Sequence, residues 1–120
     1  MHSPDLDKPP HEHPAVQALL RDCPWLVDRL DLSEGVHYVM NQVALLLRGA
    51  ELPDAEMNCL FLHLNKMANG DTETQNILVV GVLEVLTDTP ASIERARAGL
   101  DGGPARFLFE RVLKGWDSVS

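Results

Sequence analysis

The sequence predicts an all-α fold, a single-domain bundle of five or six helices around one buried helix, and three observations carry that prediction. Residues 77–86 are aliphatic except for Gly81 and Glu84, so no solvent face can be built for them. Most of the rest of the chain places its apolar residues at helical spacing, and no stretch alternates apolar and polar positions as a half-buried strand must. Proline, glycine and small polar residues punctuate the chain where helices would begin and end.

Residues 1–14 hold four prolines and almost nothing apolar, which reads as a flexible or extended tail, followed by a single helical domain over 15–120. His2, His11 and His13 invite a metal reading, but His-x-His without a third ligand at fixed spacing does not define a site. From residue 15 to 32, Val16, Leu19, Leu20, Cys23, Leu26, Val27 and Leu30 form an apolar stripe in which Pro24 opens a second short helix. Asp22, Asp28 and Asp31 fall on its outer face, and Trp25 is either core or a half-exposed anchor. Ser33 is placed to cap a helix over about 34–48, with Val36, Val39, Met40, Val43, Leu46 and Leu47 inward. Pro53 opens the next, over 53–68, with Met57, Leu60, Phe61, Leu64 and Met67 inward and Asn69-Gly70 as its stop.

The aliphatic run is the harder case, because Ile77, Val79, Val80, Val82 and Val85 would also suit a buried strand. Its edges decide for a helix over about 73–87. Thr72 and Gln75 have the form of a capping box, Asp71 and Glu73 supply negative charge at the start, and Thr87-Asp88-Thr89-Pro90 is a stop. Gly81 then marks a close approach of another helix. At ten residues the run is too short to cross a bilayer. Two proline-led helices follow, Pro90 to about Gly99 behind the cap Thr89, and Pro104 to Lys114 before Gly115. Phe107, Leu108, Val112, Leu113 and Trp116 should cover one end of the core.

A chain of 120 residues makes one domain, with a net charge of −8. Ten acidic and four basic residues in the first sixty leave that half at −6, and eight against six leave the second at −2. That balance argues against nucleic acid or an anionic membrane as the partner and for a basic protein. With no apolar stretch behind a basic start in the first thirty residues, a cytoplasmic location is expected. Cys23 and Cys59 allow at most one disulfide, and their apolar helical context suits small hydrophobes better.

No catalytic, metal-binding or cofactor-binding motif appears. There is no G-x-S-x-G or H-E-x-x-H, and Asp101-Gly102-Gly103 lacks the spacing of a phosphate loop. Glu84, a carboxylate inside the most apolar helix, needs the surface or a partner, with His63 or the arginines of the last two helices as candidates. Asp28, Asp31, Glu34, Glu51, Asp54, Glu56, Asp71 and Glu73 would form one acidic partner-binding face if the fold gathers them; otherwise they are solvated helix starts.

Leu83-Glu84 and Leu86, the stretch Ala96 to Leu100, the Gly102-Gly103 loop, Phe107-Leu108-Phe109-Glu110 and Trp116 together resemble a family of small bacterial all-helical domains. The likeness spans roughly residues 76–116. Members of such families often stand beside toxin genes and resemble immunity proteins of interbacterial toxin systems. The resemblance therefore implies a non-enzymatic protein that binds and occludes a cognate toxin, and the chain's length suits a monomer or small homo-oligomer. Two alternatives remain: a helical interaction or oligomerisation module meeting its partner through an apolar patch around Trp25 or Trp116, and a small enzyme or ligand binder using His37, His63 or Glu84.

Overall fold

The computed structural model describes residues 13–49 and 51–119, with side chains as far as Gly115. The tail histidines His2 and His11 and the side chain of Trp116 lie outside the described residues. Within them the protein is all-α, in six helices.

Helix α1, Pro14–Asp22, is started by His13, whose Nδ1 accepts a hydrogen bond from the Ala15 N–H. It buries Val16 and Leu19 and passes through Cys23 into a short 3₁₀ turn, Pro24–Asp28, begun by proline as expected. A strap then crosses to α2, Val36–Gly49. Ser33 does not cap that helix: its N–H and hydroxyl both donate to the Asp31 carboxylate, and the Gly35 carbonyl takes the first helical bond, from the Val39 N–H. An aspartate two residues upstream out-competes the helix start for the serine. At the other end of α2, the Arg95 guanidinium donates to the Leu47 and Arg48 carbonyls, satisfying acceptors that the helix itself leaves open.

Helix α3, Asp54–Ala68, ends at Asn69 and Gly70 as predicted. Helix α4 follows over residues 72–86. Asp71, not Thr72, is its cap, accepting from the Thr74 N–H, while Gln75 reaches back to the Ala68 carbonyl and fastens the turn to α3. The aliphatic run is helical, but its middle is wider than a regular α-helix. Val79–Leu83 forms a π segment, in which the Glu84 N–H bonds the Val79 carbonyl five residues back. This stretch packs most extensively on α2 and also meets α6. Gly81 sits at the contact with α2: a Cβ there would lie 2.7 Å from Met40 Cβ. The expectation of close approach is met. Enclosure on every side is not, because Val80 is 51% exposed. Ile77, Leu78, Val82, Leu83 and Leu86 exhaust the covered faces.

Helix α5, Pro90–Gly99, carries the expected cap at Thr89, reciprocated by Ser92, whose hydroxyl also donates to the Leu86 carbonyl. Helix α6, Pro104–Val119, runs through Gly115 rather than stopping there. The assignment of its inward face needs correcting: Phe109 is fully buried, while Phe107 is 68% exposed. Ala105 is seated by a hydrogen bond from its N–H to Asn65 Oδ1, and the same helical row carries Phe109 one turn on. No described helix is long and apolar enough to cross a membrane.

Candidate functional site

A cluster of polar residues with a buried histidine at its centre lies on the seam between α1 and α3. Cys59, His63 and Lys66 recur at i, i+4 and i+7, so α3 turns all three to one side. Asp22 and Cys23, at the end of α1, face them. His63 Nδ1–H donates to Asp22 Oδ2 at 2.8 Å, and Lys66 Nζ donates to the same oxygen at 3.0 Å. The Cys59 thiol donates to the Asp22 carbonyl at 3.2 Å and touches Cys23 Sγ at 2.7 Å. His63 is only 3% exposed, and its Nε2 has no hydrogen-bond partner among the described residues. A groove of about 380 Å³ opens on one side of the pair toward Arg21 and Thr74, and one of about 450 Å³ opens on the other toward Cys59 and Asn69.

The His63 hydrogen bond, followed by that of Lys66, holds the Asp22 carboxyl below the usual carboxylate range against the opposing pull of burial. Asp31, bonded by Ser33, Asp71, bonded by Thr74, and Glu110, clamped by Arg97, are lowered in the same way. For all four the unfolded chain binds protons more readily than the folded one, so stability rises with pH across that range. It is therefore fully present above the ordinary carboxylate values, 3.8 for the three aspartates and 4.5 for Glu110, and lost as pH falls through the lower folded values. Melting temperature should hold between about pH 7 and 5 and drop steeply below about pH 4. A melting temperature at pH 3 equal to that at pH 6 contradicts this.

Chemically, an aspartate-held imidazole with a free Nε2 can accept or supply a proton. No hydroxyl or thiol is hydrogen-bonded to that nitrogen among the described residues. Nor do the described residues hold any group of three His, Cys, Asp or Glu side chains spaced for a metal ion. His13, the one described member of the tail histidines, is committed to its helix cap and lies 3.9 Å from Glu73.

Several candidate residues fall elsewhere than expected. His63 takes Asp22 of α1 as its partner. Glu84 is half-buried on a turn that packs against α2 and α5, with no hydrogen bond or ion pair to its side chain among the described residues. The arginines of the last helices are engaged otherwise, Arg97 with Glu110 and Arg106 with Asp101. His37 is exposed at the α2–α4 contact and is not joined to either residue.

The acidic residues do not form one face. Asp31 is bonded to Gln42 of α2, while Arg29 Nη2 stands 3.8 Å from Glu56, which brings the neighbouring Asp28 toward the start of α3. Asp71 and Glu73 lie past the far end of that fifteen-residue helix, about 20 Å away along its axis. Asp22 was expected outward and is turned inward. The hint available in the sequence was the Cys59–His63–Lys66 row, which needs an acceptor opposite it.

Compared with known proteins, the chain matches no family model, no curated protein and no solved structure.

Proposed function

We propose that the protein is a non-enzymatic binding domain that receives a basic protein partner on the outer face of α2, most concretely as an immunity protein that occludes a toxin's active site. The observation that carries this reading is the composition of that face. Tyr38, Gln42 and Leu45 follow one another at i, i+4 and i+7, and Tyr38 and Leu45 are 45% and 48% exposed. Gln42 between them grips the strap, donating to the Asp31 carbonyl and accepting from the Asp31 N–H, each at 2.8 Å. The strap thereby holds exposed Asp31 beside an exposed aromatic and aliphatic pair, with exposed Asp28 and Glu34 three positions before and after it in the chain. An apolar centre with a charged rim is the usual anatomy of a protein-binding surface, and the acidic rim would speed encounter with a basic cleft. The net charge of −8 and the resemblance of residues 76–116 point to the same class of partner.

The test is binding to, and protection against, the product of the gene beside this one, measured by calorimetry and by survival on co-expression. Neither binding nor protection overturns the reading. If it holds, Tyr38→Ala with Leu45→Ala weakens affinity about tenfold or more through faster dissociation. Asp28→Lys with Asp31→Lys mainly slows association and flattens its salt dependence. Reversals that leave association unchanged while Tyr38→Ala abolishes binding identify an apolar interaction module instead.

A further inference from the structure

We propose that Cys23 and Cys59 are a redox-modification site, oxidised by a small disulfide of the glutathione class to an internal disulfide that clamps the end of α1 to α3. The two sulfurs are 36 positions apart in the chain and 2.7 Å apart in space, both as free thiols. A bond requires them to approach by about 0.7 Å more, within the reach of small side-chain adjustments. The fold also gives the two thiols different roles. Cys59 lines the open groove shared with Asn65 and Asn69, where a reagent can reach it. Cys23 is fully buried behind it, and burial, aided by the Cys59 contact, pushes its thiol well up, which disfavours it as the first nucleophile.

The sequence of steps follows. Cys59, as thiolate, attacks one sulfur of glutathione disulfide; a protein–glutathione bond forms and one glutathione leaves with the displaced electron pair and takes up a proton. Cys23 then loses its proton and attacks Cys59 Sγ, and the second glutathione leaves. The protein pair is oxidised and the reagent reduced to its two thiols. Cys59 gives up the S–H that bonds the Asp22 carbonyl, so the new covalent tether replaces a weak hydrogen bond at the same seam.

The experiment treats the full, reduced chain with glutathione disulfide and reads it by intact mass, tryptic mapping and melting. The expected product has lost both thiol hydrogens, carries no glutathione, and links the peptides 22–29 and 49–66. Its melting temperature is about 10 °C above that of the reduced protein, because the tether restricts the unfolded chain, and a reductant reverses the change. Cys23→Ala, which keeps the buried position apolar, stalls as a stable glutathione adduct on Cys59. Cys59→Ala leaves Cys23 unmodified over the same time. A wild-type chain that keeps both thiols free, accumulates the adduct, or joins into a disulfide-linked dimer overturns the proposal, as does a Cys23 that reacts equally fast without Cys59.

Discussion

Gly81→Val abolishes cooperative folding, and Gly81→Ala costs about 2–3 kcal/mol. The reason is the contact between the π segment of α4 and α2. A single methyl at Gly81 would stand 2.7 Å from Met40 Cβ and 3.4 Å from Met40 Cγ. Cβ is fixed by the backbone, so no rotamer change relieves the clash, and Met40 is itself fully buried. The helices must separate in an interior packed as densely as an organic crystal, and every neighbouring contact along them loosens. Valine adds two more methyls to the same spot, and the total stability of a domain is only about 5–15 kcal/mol. Gly115→Ala is the control. It lies within α6 with nothing within 4 Å of its would-be Cβ, so alanine there should be neutral or stabilise by up to about 1 kcal/mol. Denaturant melts of the three variants decide the matter: a midpoint for Gly81→Ala equal to wild type removes the close approach from the account.

Asp22→Ala lowers stability by about 2–4 kcal/mol, although the residue is partly exposed. Most of that cost arises at His63, which stays buried with neither ring nitrogen paired. Lys66 contributes less, since its side chain is 69% exposed and water replaces the lost contact. Asp22→Asn should cost about 1 kcal/mol, because an amide oxygen still accepts from Nδ1–H. In a double-mutant cycle with His63→Ala the two changes should be markedly less than additive. An Asp22→Ala variant within about 0.5 kcal/mol of wild type shows that the pair holds nothing.

Helix edges were the most legible part of the molecule. Pro24, Pro90 and Pro104 sit where helices begin, Asn69 and Gly70 where one ends, and Thr89 caps as its spacing with Ser92 allows, whereas Pro14, which reads as the end of the tail, opens α1. At other edges two local signals compete. Ser33 and Thr72 have the chemistry of a cap, yet a neighbouring aspartate makes the stronger local bond in each case. Phe107 and Phe109 are two positions apart on one helix, and it is Phe109 that shares the inward stripe of Ala105, Leu108, Val112 and Leu113, while Phe107 faces out. The candidate sites were less legible still. The acidic residues follow helix starts, which say nothing about the ends of α3 being about 20 Å apart.

From its residues alone, this chain determined that it would be helical, where most of its helices would begin, and that a glycine in the aliphatic run would receive another helix. Those properties depend on spacing and capping within a few residues of each other. Tertiary structure alone decided that Asp22 would hold His63, 41 positions away, that Cys23 would meet Cys59, and that Val80 would face outward. Such pairings depend on how far each helix is rotated and slid against its neighbour. Shape complementarity of whole faces sets that rotation, and no single stretch of sequence carries it.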